Sequence, residues 1–280
     1  MAKKEMELSV KPEDERILVA KDHQDLPEHM RADAGEGTDT LSKYIRPPRL
    51  KIVQGNSDQK FLEVADPGSV ILSPTMQLVA EVTQPFWFVP VLFFPEWYTS
   101  NPMSMKGQLP FIRERSTDPA SDIARKAQDP ILRGADDCPE SKGNKLKHVE
   151  ALNFIVLILR NEALMGQPAI MSFSKSAHKD GSQLSALIRS RRGPLYGMIF
   201  EACVPQMKRS NTQGQWHYMQ VGNPSAPGAP HPMVMNVEEY QALKALHHKY
   251  LADLEASRII TDYEDEEGNG TVPSEAAASM

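Results

Sequence analysis

Residues Pro85 to Tyr98 read PFWFVPVLFFPEWY, and Val149 to Asn161 read VEALNFIVLILRN. Both are dense in aromatic and β-branched residues, the composition of strands rather than helices. The first carries Pro85, Pro90 and Pro95. Proline has no N–H to give to a ladder, so this stretch reads as an edge or bulged strand rather than a central one. The second is the most buried-looking strand of the chain.

Outward from this pair, further strand signals accumulate. Arg49 to Val53 alternates behind Pro47-Pro48, SVILS and MQLVAEV flank Pro74, and PAIMSFS spans Pro168 to Ser174. Leu195 to Met207 reads as a strand, KRSNTQGQ as a turn, and WHYMQVG (Trp216 to Gly222) as its returning partner. Two helices are expected. One follows Asp180, which is placed to cap it with Gln183 as the reciprocal residue of a capping box, and Gly193-Pro194 ends it. The other is capped by Asn236 with Glu239, and keeps Val237, Tyr240, Leu243, Leu246, Tyr250, Leu251 and Leu254 on helical spacing to about residue 257. Strands therefore come grouped rather than alternating with helices, which favours an antiparallel barrel or sandwich with added helices over a doubly wound sheet.

The organisation expected is a polar acidic arm over 1–44, a core domain over 45–224 with a loop-rich insertion at 99–148, a Pro/Gly linker at 225–235, a helix at 236–260 and an acidic tail at 261–280. SDIARKAQD suits a short helix inside the insertion. The net charge of −6 hides a division: positions 41–260 hold 25 Lys and Arg against 20 Asp and Glu, between two acidic ends. The tail carries Asp262, Glu264, Asp265, Glu266 and Glu267 in one run and no basic residue, a composition expected to stay solvated and disordered. Cys138 and Cys203 form no CxxC, and no apolar run reaches the roughly 18 residues of a membrane helix, so a reducing cytosol is the expected compartment.

No P-loop, dinucleotide fingerprint, GxSxG or HExxH is present, and neither catalytic residues, a cofactor nor a metal is expected. Adjacent His247 and His248 cannot share a helix face, and Cys138 stands among carboxylates that disfavour its thiolate. Features suited to single-stranded nucleic acid are better represented, because such ligands are held by cations along the phosphates and by aromatic faces under the bases. The candidates are Arg46, Arg49 and Lys51 at the first strand; Trp97 and Tyr98, expected to be exposed past Pro95; Lys175 and Lys179 before the mid-chain helix; Arg189, Arg191 and Arg192 at its end; and Lys208 and Arg209 in the turn before Trp216 and Tyr218. Arginines in a last helical turn also satisfy the helix dipole. Trp87 and Phe93 read as core.

PRLKIVQ after a Gly-containing arm, PFWFVPVLFFPEW, FSKSAHKDGSQLSALI and GQWHYMQVGNP, in that order, resemble the tailed-phage group of single-stranded-DNA-binding proteins over residues 46–224. The resemblance implies an OB-like antiparallel β-barrel, mainly β within an α+β class, with long insertions, a mid-chain helix and a C-terminal helix. It also implies a role in phage replication or recombination in the cytoplasm of the infected host. The group's paired-cysteine knuckle is represented here by Cys138-Pro139 alone, without a second cysteine. The expected partners are single-stranded DNA and, through the tail, replication or recombination proteins, with self-association open. The competing expectations are a phage assembly protein with no nucleic-acid role and an enzyme with an unfamiliar site.

Overall fold

The computed structural model describes residues 47–259, apart from positions 74, 103, 105–107, 161–162, 212–213, 225–232 and 235. The acidic arm, Arg46, most of the linker and the acidic tail lie outside the described residues.

Among the described residues the fold is mainly β with four α-helices. In chain order the elements are β1 (Arg49–Ile52), α1 (Gln59–Leu62), β2 (Val70–Ser73), β3 (Gln77–Ala80), β4 (Phe86–Ser100), β5 (Ile112–Ser116), α2 (Asp122–Gln128), β6 (Lys147–Arg160), β7 (Ala163–Ser174), α3 (His178–Arg191), β8 (Phe200–Cys203), β9 (Arg209–Asn211), β10 (Gly214–Trp216), β11 (Gln220–Gly222) and α4 (Val237–Glu255). One sheet runs β11-β8-β4-β6-β7-β1-β2-β3 with β5 added to β4, while β9 and β10 form a separate two-stranded ribbon. Every pairing is antiparallel except β1 with β7, which is parallel through Arg49 and Ile170.

The sheet curls into a half-barrel, in line with the OB-like α+β reading. Its inner face gathers Leu50, Val70 and Leu72 from one end with Phe200, Ala202 and Val221 from the other into a single core, completed by Leu184 of α3. Three hydrogen bonds bridge the ends: Thr83 N donates to Val204 O at 2.8 Å, and the Gln54 side chain grips both main-chain groups of His217. The outer face packs Val89, Val91, Leu157 and Leu159 against Leu243 of α4, and Leu92, Phe94, Ile155 and Ile170 against Tyr250, Leu251 and Leu254. Burial pushes the Tyr250 hydroxyl up to about 12, with a smaller contribution from Asp253.

β4 corrects the edge-strand expectation. It lies inside the sheet, paired with β6 along almost its whole length, and it is bulged. Its second side is occupied by β8 at Phe86–Phe88 and by β5 at Trp97–Ser100. Pro90 and Pro95 fall between these two pairings, where β4 has a ladder partner on one side alone, the kind of position at which a sheet tolerates proline. Between Pro90 and Leu92 the register shifts by one, making Val91 the extra residue. That shift exchanges the faces of the strand: Phe86 and Phe88 point into the half-barrel, whereas Leu92 and Phe94 point out to α4. The Val91 carbonyl is met by α4, where His247 Nδ1–H donates to it at 2.8 Å.

Other boundaries differ locally. Asp180 sits in the first turn of α3 rather than capping it; the N-cap is Ala177, with no side-chain bond. Arg209 claims the carboxylate instead. Leu195 to Met207 supplies only the short β8, preceded by a 3-10 turn. WHYMQVG divides, Trp216 ending β10 and Gln220–Gly222 forming β11 on β8. Asn236 does cap α4, accepting from Glu238 N and Glu239 N. α3 lies close on β7 because residue 181 is glycine: a Cβ there would come within 2.7 Å of Phe173 Cβ.

Candidate nucleic-acid interface

The ribbon β9–β10 docks on the first turn of α3. The Arg209 guanidinium bonds both oxygens of the buried Asp180, at 2.7 Å each, and reaches Ser176 O at 3.4 Å. This fork raises the guanidinium above its ordinary value, against the opposing effect of burial. The same group lies 3.8 Å from the centroid of the Tyr218 ring, a cation–π contact. Trp216 stands directly opposite Arg209 in the ribbon, and opposed residues share a face. Arg209 thus joins the ribbon, and Tyr218 just beyond it, to α3, with its own charge committed to Asp180.

Around this junction lie Lys175, Lys179 and Lys208, all exposed. Lys175 has left-handed backbone, φ 50°, and its ammonium sits 4.9 Å over the Phe111 ring. Cations on exposed stems beside half-buried aromatic rings are the materials from which single-strand grooves are built. The structure brings together Lys175, Lys179, Lys208, Arg209, Trp216 and Tyr218, which come from two separate stretches of the chain.

Trp97 and Tyr98 are not part of this surface, contrary to the expectation that they are exposed. Trp97 is 2 % exposed, packs on Ala124 and Ala127 of α2, and donates from Nε1 to Glu150 at 3.1 Å. Tyr98 is wholly buried against Phe111, Val149 and Ala151. The physical reason is that β4 does not stop at Pro95; it runs on to Ser100, and β5 and α2 of the insertion close over it. Glu150 also accepts from His178 Nε2 at 2.9 Å, so this buried indole helps set the start of α3.

The remaining candidates lie elsewhere. Arg189, Arg191 and Arg192 end α3, nine to twelve residues beyond Asp180, which places them about 14–18 Å along the helix from the ribbon junction. Arg191 is structural: it donates to Ile199 O at 2.9 Å and to the Asn223 side chain, and covers the Phe200 ring at 4.1 Å, with burial lowering its guanidinium. Arg192 takes the left-handed cap position at φ 53°. On β1, Leu50 points into the half-barrel, so Arg49 and Lys51 project from the opposite face; the Lys51 ammonium lies 3.7 Å from the Phe61 centroid.

Two features escaped the reading of the sequence. Phe93, expected in the core, is 38 % exposed, because the register shift of β4 turns it to the inner face at the stretch with no second partner. Thr99, His148 and Asp136 form a chain, Thr99 Oγ1 to His148 Nδ1 at 2.9 Å and His148 Nε2 to Asp136 at 3.1 Å. It has the connectivity of a nucleophile–base–acid string, but Thr99 is wholly buried and donates to Glu114 at 2.9 Å. With Lys126 on Asp136 at 2.7 Å, the chain fastens the insertion to β4 and β6. Its members come from β4, β6 and the loop before β6, so no spacing in the sequence announces it. Among the described residues no cluster of His, Cys, Asp and Glu is placed to hold a metal, and no helix is long and apolar enough to cross a membrane.

Compared with known proteins, residues 20–249 match the family described as Pam3 phage gp34-like protein. Nothing among curated proteins or solved structures matches the chain.

Proposed function

This chain belongs to the Pam3 phage gp34-like family, and on that premise we propose that it binds single-stranded DNA without sequence preference, in phage replication or recombination within the host cytoplasm. The observation that carries the reading is the ribbon junction. Tyr218 lies against the Arg209 guanidinium of the Asp180–Arg209 fork, Trp216 stands opposite Arg209 in the ribbon, and the exposed Lys175, Lys179 and Lys208 flank the same junction. Partly exposed rings supply faces for stacking, and the lysines supply phosphate contacts that are indifferent to sequence. The acidic run Asp262–Glu267 fits the same reading as an anion carried on the chain. It competes for the lysines when DNA is absent and is released to recruit replication proteins when DNA is bound.

The test is a titration of intrinsic tryptophan fluorescence with oligo-dT at several salt concentrations. Binding weakens with salt by a log–log slope of about −0.7 per phosphate neutralised, and the Lys179→Ala/Lys208→Ala variant flattens the slope by about 1.4. Binding that is absent, or indifferent to salt, overturns the reading. The alternative, an assembly protein without a nucleic-acid role, draws on the exposed Ile131, Met207 and Val237, which lie on three separate parts of the fold. Self-association of the pure protein without DNA binding would favour it.

A further inference from the structure

We propose that Phe93 is a second stacking platform for an unpaired base, on the inner face of the sheet beside the first turn of α3; this rests on the single-strand reading above. Phe93 is a large apolar side chain, 38 % exposed, on a strand whose neighbours are mostly buried. Its ring is backed at 4.9 Å by Phe154, directly opposite on β6, and Phe154 meets Phe173 of β7 edge-on at 6.0 Å. Phe173 in turn lies beneath Gly181 of α3. A row of three rings therefore runs from the exposed edge of β4 to the first helical turn, which presents Lys179. Two strand spacings, about 10 Å, separate the two ends of that row.

Access exists from one side, because β4 carries no second ladder partner between Phe88 and Trp97 among the described residues. Pro90 and Pro95 in that gap deny an incoming protein strand a regular ladder. A nucleobase needs no ladder: it needs a flat ring with one open face and a cation nearby for its phosphate. The inner face at Phe93 offers the first and Lys179 the second, which selects single-stranded nucleic acid over an added β-strand as occupant.

The experiment uses the full chain with Phe93→Leu, which keeps the apolar backing on Phe154 and removes the flat ring, and Phe93→Ala. The ligands are oligo-dT and an abasic oligonucleotide of equal length. Loss of one stack weakens oligo-dT binding by about 5- to 150-fold, leaves the salt slope unchanged because no charge is removed, and leaves abasic binding equal to wild type. Equal weakening for both ligands overturns the proposal, since it marks a structural role. Unchanged oligo-dT affinity in both Phe93 variants, while Lys179→Ala/Lys208→Ala still weakens it, overturns the platform and leaves the single-strand reading standing. No binding of oligo-dT by the wild-type chain removes both. A change of oligomeric state in Phe93→Leu with DNA affinity intact assigns the ring to a protein contact and also overturns the proposal.

Discussion

Gln54 holds His217 by both of its main-chain groups, its side-chain nitrogen donating to His217 O at 2.9 Å and its side-chain oxygen accepting from His217 N at 2.8 Å. The two residues are 163 positions apart, and the pair is buried. One amide thus joins the loop after β1 to the segment between β10 and β11, where the two ends of the half-barrel come together. Replacing Gln54 by Leu strands two buried backbone groups and should cost about 2–4 kcal/mol of stability. Gln54→Glu, which keeps the acceptor but turns a buried carboxylate oxygen on to the His217 carbonyl, should lose at least as much as Gln54→Leu. Urea unfolding followed by circular dichroism measures both, and a midpoint unmoved by Gln54→Leu would show that the closure rests on other contacts.

The His217 ring lies in space that only a glycine leaves: a Cβ on Gly68, whose φ is 99°, would come within 3.0 Å of it. Burial, and secondarily the Lys208 charge, lower the affinity of His217 for a proton below the ordinary value of 6.5. The unfolded chain therefore takes up a proton near pH 6.5 that the folded chain resists. Stability should be level above that pH and decline as the pH falls from 6.5 toward the lowered folded value. Urea midpoints at pH 7.5, 6.5 and 5.5 test this, with His217→Gln expected to flatten the profile across the window. A wild-type protein as stable at pH 5.5 as at 7.5 contradicts the assignment.

Removing Arg209 leaves the Asp180 carboxylate buried without its fork. Arg209→Ala should destabilise the protein by about 3 kcal/mol. Arg209→Lys should fall between, because an ammonium cannot bond both oxygens in the same planar geometry. Both should weaken oligo-dT binding with only a small change in salt slope, since Arg209's charge is already committed to Asp180. A loss of slope as large as that of a lysine variant would mean that Arg209 meets phosphate directly.

Trp97→Ala should unfold the protein more readily by about 3–5 kcal/mol, the range for deleting a buried aromatic side chain. The fraction that remains folded should bind oligo-dT as wild type does. A stable variant with weakened binding would restore Trp97 as a contact residue.

Deletion of residues 261–280 removes six carboxylates and no basic residue. Single-strand binding should tighten, most at low salt, where screening is weakest. Equal affinity with and without the tail at low ionic strength would leave the tail as a docking or solubility segment.

The strand-rich composition of PFWFVPVLFFPEWY and VEALNFIVLILRN, the Asn236 cap and the Leu243–Leu254 periodicity were enough to reach a mainly β fold with a C-terminal helix, because these signals are local. So were the cationic and aromatic residue types of the ribbon and of the start of α3. What they could not convey is which way a side chain points once β4 slips by one residue at Val91: that single shift turns Phe93 to a partly open inner face. Nor could they foresee that an insertion would fold back to bury Trp97, or that Asp180 would leave its expected cap to bind Arg209, 29 positions away. By itself the sequence determined element types and the stock of chemical groups, since propensity and charge belong to residues. Only the tertiary structure decided exposure and partnership, because burial and ion pairing depend on atoms that the chain brings together from far along its length.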